Sequence, residues 1–163
     1  MITVIGIDPG LSATGIGIVR GTGMDIDGYS FGSIQTPKKL PLPNRLNQIY
    51  SYLLRVLKDE RPDLMIVEDV FSIDKFPNAG ITLGKVTGVV LLAGYRMEIP
   101  VVEISVRESK QVLTGNGNAT KPQLERAVRS LLNLTKPIRP FHASDAMGLA
   151  LVGLFRHNHF DPK

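Results

Sequence analysis

Four side chains in this 163-residue chain are of types that can act together on a phosphate: Asp8, Glu68, His142 and Asp145. Asp8 closes the apolar run Val4-Ile5-Gly6-Ile7 and precedes Pro9-Gly10; Glu68 closes Leu64-Met65-Ile66-Val67. Pro9 cannot continue a strand ladder, and Gly10 permits a tight turn. Each run therefore predicts a buried strand with a carboxylate at its end. Asp145 falls in the first turn of a final predicted helix. His142 stands three residues earlier, so both point the same way if that helix begins early. Oxygen donors without any cysteine favour a hard divalent ion such as Mg²⁺ or Mn²⁺. Paired ions about 3.5–4 Å apart activate water and stabilise the leaving oxygen in phosphodiester hydrolysis. Each residue also has a plainer use: Asp8 as a turn cap, Asp145 as an acid facing the helix dipole, His142 as a packing residue.

The elements that must position these groups follow from periodicity. Gly15–Val19 and Tyr29–Gln35 read as two further strands, separated by turn residues, which suggests an antiparallel meander. Leu46, Ile49, Tyr50, Leu53, Leu54 and Leu57 recur at the spacing of one helical face, ending at Arg61-Pro62-Asp63. The run 64–67, apolar on both faces, has the look of a central parallel strand. A loop is expected from Phe71 to Gly80, then a helix from Ile81 to Arg96. Gly84 and Gly88 share one face of that helix, either for packing on the sheet or for a dimer contact. Ile99–Ile104 reads as the fifth strand and Ser105–Leu113 as a short helix. Thr120 and Gln123 have capping-box spacing before a helix to about Leu134. The last helix is expected from near Ser144 to Phe155. The order predicts an α/β fold: a mixed five-stranded sheet flanked by helices on both sides.

Composition narrows the partners. Hydrophobic residues make up 43% and charged residues 21%, the balance of one globular domain, placed at 1–157 with a short tail at 158–163. No apolar run approaches the roughly 20 residues of a membrane helix. No secretory signal is read at the N-terminus, so a cytoplasmic location is expected. From Ser105 to Arg139 lie seven Lys or Arg against two Glu, while the rest of the chain is nearly neutral. A basic half beside an acidic centre suits a polyanion held over a metal site; a solvated helix face is the plainer alternative.

Several stretches in order resemble one family. They are Gly6-Ile7-Asp8-Pro9-Gly10 with Thr14-Gly15, Ile66-Val67-Glu68-Asp69-Val70-Phe71, and Ser109-Lys110-Gln111. Gly115-Asn116-Gly117-Asn118-Ala119-Thr120-Lys121 and His142-Ala143-Ser144-Asp145-Ala146 complete the set. Together they are similar to the RuvC family of bacterial Holliday junction resolvases, collinearly from about Ile2 to Phe155. The resemblance implies a ribonuclease-H-like fold and a homodimer that places paired symmetric nicks in four-way DNA junctions. It implies 5′-phosphate and 3′-hydroxyl ends, a role in recombination and repair, and partnership with the RuvA/RuvB branch-migration complex. It also implies two Mg²⁺ ions per site, with Mn²⁺ able to substitute.

By the same resemblance, Asp8, Glu68, His142 and Asp145 are metal ligands. The family carries Asp or His at position 142, and this chain is of the His variety. A ligating His142 must be neutral, so activity is expected to fall below about pH 6.5. Lys121 and Lys110 match lysines beside the scissile phosphate and DNA backbone, and Lys121 joins the catalytic set. Phe71 matches an aromatic that stacks at the junction's exchange point. Residues 72–84 depart from the family pattern.

Other readings are a phosphate loop of the actin and sugar-kinase type, a relative that binds or cuts structured RNA, and a module that binds junctions without cutting. The first needs a second nucleotide-clamping domain, for which 163 residues leave no room.

Overall fold

The computed structural model describes residues 1–69, 77–157 and 160. Five strands form one sheet in the order β3-β2-β1-β4-β5. β1 (Ile2–Asp8), β2 (Ala13–Thr22) and β3 (Asp25–Gln35) are the antiparallel meander. β4 (Leu64–Glu68) and β5 (Val101–Ile104) run parallel to β1. Among the described residues there are five helices: α1 (Leu42–Glu60), α2 (Pro77–Arg96), α3 (Val106–Thr114), α4 (Lys121–Leu131) and α5 (Phe141–Arg156). No described helix is long and apolar enough to cross a membrane.

Strand alternation divides the core in two. Ile5, Ile7, Met65 and Val67 face α1 and α2, meeting Ile49, Leu53, Leu57, Val86 and Val90. Val4, Leu64, Ile66 and Ile104 face α5, meeting Met147, Ala150, Leu151 and Leu154, with Leu124 and Val128 of α4 behind. α5 is buried almost all round from Ala143 to Leu154, as expected of a helix covered by the sheet on one side and α3–α4 on the other.

The seat of α5 is floored by glycine. Gly6 and Gly17 are directly paired between β1 and β2, as are Asp8 and Gly15. A Cβ on Gly6 would lie 2.1 Å from the Ala146 carbonyl oxygen, and one on Gly17 2.5 Å from the Met147 nitrogen. A Cβ on Gly15 would lie 1.9 Å from the His142 carbonyl oxygen. The backbone of α5 therefore rests on the backbone of the sheet, closer than any side chain would allow.

Several boundaries differ from the sequence expectation. α5 begins at Phe141 rather than near Ser144, because the Pro140 carbonyl accepts from Ala143 N at 3.0 Å and Ser144 N at 3.4 Å. α2 begins at Pro77, inside the expected loop. α4 stops at Leu131, where Asn133 takes a left-handed conformation and Leu134 N donates to the Arg129 carbonyl. β5 is shorter than expected and starts after Pro100, whose carbonyl accepts from Met65 N. The capping box on Thr120 and Gln123 is formed in full. Phe71 and residues 72–76 lie outside the described residues, as does most of the expected tail at 158–163.

Gly17→Ala is expected to cost about 1–3 kcal/mol, since the added methyl meets helix backbone that cannot move aside. Chemical denaturation of the variant checks this, with Gly28→Ala, where a Cβ meets nothing within 4 Å, as the control.

Candidate active site

Sheet register brings the first two acids together. The parallel pairing of β1 and β4 runs through Ile7 and Val67, so Asp8 and Glu68 end their strands side by side. Both project on the α5 face, in phase with Val4 and Ile66. The close approach at Gly15 lays the first turn of α5 over Asp8, and His142 Nδ1 comes to 2.6 Å from Asp8 Oδ2. Asp145, one turn on, is 9% exposed and forms an ion pair with Lys121, Nζ to Oδ2 3.2 Å. Lys121 is the first residue of α4, placed there by the Thr120 cap. These five side chains line one open cavity of about 320 Å³, together with Lys110 of α3. Phe71 is the one expected site residue that lies outside the described residues.

The electrostatics are those of crowded acids. Burial, followed by repulsion from Asp8 and Asp145, pushes the Glu68 carboxyl up to about 8. Burial also raises Asp145, against the pull of Lys121. The hydrogen bond to Asp8 holds the His142 imidazole above its ordinary value despite partial burial. Burial works against the charge on Lys121, but attraction to Asp145, Asp8 and Glu68 outweighs it and the ammonium is raised.

This donor set fits a hard cation by its chemistry: three carboxylates and one imidazole around a single cavity, with their mutual repulsion only partly offset by Lys121. Among the described residues, however, no three His, Asp or Glu side chains are grouped to hold an ion as they stand. The reason is visible in the partners already taken. His142 is turned onto Asp8 and Lys121 onto Asp145.

Sequence reasoning missed one residue that shapes the site. Arg45 is 8% exposed, and its Nε donates to Thr36 Oγ1 at 2.8 Å and its Nη2 to Ser12 Oγ at 3.2 Å. Thr36 in turn donates to the Leu11 carbonyl, and its own N–H to that of Ser12. A buried guanidinium thus ties α1 and the end of β3 to the loop leaving Asp8. The signal was readable: the buried stripe Leu57, Leu53, Ile49 continues at the same interval to Arg45, a charge at an apolar position. Ser109, buried on α3 and lining the cavity, carries no comparable signal.

Arg45→Met is expected to destabilise the chain by about 1–3 kcal/mol by removing the donor to the buried Thr36 hydroxyl and the tie to Ser12. Faster amide exchange at Leu11 and Ser12 than in the unaltered chain is the accompanying local measurement.

Residues 4–153 match the family model described as Crossover junction endodeoxyribonuclease RuvC. A relative of that name from Brevibacillus brevis is 37% identical over 148 residues, covering 91% of this chain and 89% of the relative. One from Photorhabdus laumondii is 37% identical over 161 residues, covering 99% and 89%. Among solved structures, Thermus thermophilus RuvC in complex with Holliday junction substrate superposes with a TM-score of 0.88 at 30% identity, covering 98% of this chain and 96% of that one. The yeast mitochondrial Holliday junction resolvase Ydc2, at 14% identity and a TM-score of 0.64 over 96% of this chain and 80% of that one, shares the fold. The sheet order and the collinear match over nearly the whole length agree: this chain belongs to the crossover junction endodeoxyribonuclease RuvC family.

Proposed function

We propose that the chain is a Mg²⁺-dependent endonuclease that resolves four-way DNA junctions by paired hydrolytic nicks. The observation that carries this reading is the convergence of Asp8, Glu68, His142, Asp145 and Lys121 on one open cavity. Asp8, Glu68, His142 and Asp145 would hold a pair of Mg²⁺ ions, with Mn²⁺ able to take their place. When bound, such ions supply Lewis acidity that makes water a nucleophile near neutral pH and relieves charge on the scissile phosphate.

The chain's own groups do the rest. Glu68 would hold a cation as its carboxylate, a form that burial and its acidic neighbours disfavour in the chain alone. His142 would do so as the neutral imidazole. Lys121, beside Asp145, would turn its ammonium toward a phosphate oxygen and steady developing negative charge. Lys110, which also lines the cavity, binds the DNA backbone as a point charge. Phe71 is assigned by family resemblance to stacking at the exchange point.

A homodimer accounts for a second surface. On α2, Ile81, Gly84, Gly88, Leu92 and Tyr95 form one stripe at helical spacing. Ile81, Leu92 and Tyr95 are 59%, 48% and 78% exposed, and a Cβ on either glycine would meet nothing within 4 Å. Within the chain, this face therefore does not pack on the sheet, which favours the dimer contact of the two uses left open by the sequence. A two-fold dimer presents two such sites to two equivalent strands of a junction. Action in the cytoplasm alongside the RuvA/RuvB branch-migration complex follows the family resemblance.

Cleavage of synthetic four-way junctions, with both nicks mapped, tests the reading. Asp8→Asn or Glu68→Gln is expected to slow cutting by at least about a hundredfold while junction binding stays nearly intact. Equal loss of binding and cutting would remove the catalytic role.

The pH dependence follows from the raised values of Glu68 and His142. Both must lose protons to bind a cation, so Mg²⁺ affinity is expected to rise with pH through neutrality. The acid limb of cutting then stands above the ordinary His value of 6.5 rather than at it. Calorimetry in buffers of different ionisation enthalpy should show roughly one to two protons released per chain, and fewer for His142→Asp. In the cation-free chain, folding takes up a proton at Glu68. Its stability is therefore expected to fall as pH rises from 4.5 toward 8, and Glu68→Gln to flatten that fall by roughly 2–6 °C in Tm.

A further inference from the structure

Arg139 and Phe141 stand just before His142 and have no part in the chemistry above. Phe141 is the first residue of α5 and lies one turn from Asp145, so its ring stands on the same stripe of helix as that carboxylate, nearer the helix start. The ring is 36% exposed. The Arg139 guanidinium carbon sits 4.1 Å from the ring centroid, within cation–π range.

The guanidinium is held, but it is not neutralised. Its Nη1 donates to the Ile138 carbonyl at 3.0 Å. Among the described residues, no carboxylate lies within ion-pair distance of Arg139. Phe141 lies against the guanidinium, and of its N–H donors the Nη1 group is bonded to the Ile138 carbonyl, leaving others for a ligand.

The backbone that presents the pair is anchored. Ile138 is 1% exposed, and its N–H donates to Glu125 Oε1 at 3.0 Å; Glu125 is itself buried and paired with Arg129. Ordering a long cationic side chain on a fixed platform removes much of the rotamer entropy that binding would otherwise cost. A preorganised planar cation with no carboxylate partner among the described residues, beside a site for phosphodiester chemistry, matches a bidentate phosphate ligand.

We propose that Arg139, stacked on Phe141, binds a backbone phosphate of the cleaved strand within a nucleotide or two of the scissile phosphate. The spacing suits this: one helical turn, about 5.4 Å, separates Phe141 from Asp145. The contact also offsets the repulsion that three carboxylates at the centre exert on approaching DNA. This assignment rests on the endonuclease reading above.

The test uses the full chain and synthetic four-way junctions carrying one methylphosphonate, which is uncharged, at each of the three phosphates on either side of the cut. Binding is measured without divalent ions, and cutting of unmodified junctions with Mg²⁺. In the unaltered chain, one modification position is expected to weaken binding about tenfold. Arg139→Gln is expected to bind unmodified DNA about tenfold more weakly, to be indifferent to that same modification, and to lower the salt slope by about one. Phe141→Leu, which removes the platform and keeps the charge, should lose part of the affinity, and Arg139→Lys should recover part of it. Both residues are exposed, so unchanged circular dichroism and Tm separate these effects from misfolding.

Unchanged affinity and salt slope for Arg139→Gln would overturn the assignment. So would equal sensitivity of that variant and the unaltered chain to every methylphosphonate. If the unaltered chain cuts junctions while the Arg139 variants behave in either of these ways, only this inference fails. A chain that neither binds nor cuts junctions removes the endonuclease reading and this contact together.

Discussion

Everything at the site depends on how closely α5 lies against the sheet. Gly6, Gly15 and Gly17 remove three side chains from the middle of β1 and β2, and the helix backbone takes their place. Because Gly15 is paired with Asp8, the closest approach falls beside the carboxylate. That single contact brings His142 within hydrogen-bonding distance of Asp8 and sets Asp145 one turn deeper. A helix held even one side chain farther away would leave two strand-end acids without their partners from the C-terminal third of the chain. The same close packing explains why α5 is so apolar: with the sheet beneath and α3–α4 above, it has almost no solvent-facing side.

Bringing acids together carries an electrostatic cost, and the site bears it in two ways. Within the chain, Lys121 and His142 each neutralise part of one carboxylate, through Asp145 and Asp8 respectively. What remains falls on Glu68, the group pushed furthest from its ordinary value by burial and by its acidic neighbours.

The remainder of the molecule sorts by its distance from that centre. Arg45 stiffens the loop leaving Asp8 from the side opposite α5, so the strand end is gripped from two directions. Basic residues of α3 and α4 form one wall of the cavity, and the Arg139–Phe141 pair stands beyond His142 at the start of α5. On α2, Ile81, Leu92 and Tyr95 stay largely exposed, and a Cβ on Gly84 or Gly88 would meet nothing within 4 Å among the described residues.

Local chemistry was legible in the residues themselves. Continuous apolar runs ending in Asp8 and Glu68, the 3.6-residue stripe of α1 and the Thr120 capping box are short-range patterns, and each formed as read. The collinear motifs carried the family as well. Long-range facts were not available there. The start of α5 at Phe141 depends on the Pro140 carbonyl, and its depth on glycines more than 120 positions earlier in the chain. Arg45 acquires its role only when β3, the Asp8 loop and α1 meet. Periodicity reports which way a side chain points within its own element; which backbone will lie against it, and at what distance, is decided when the elements pack.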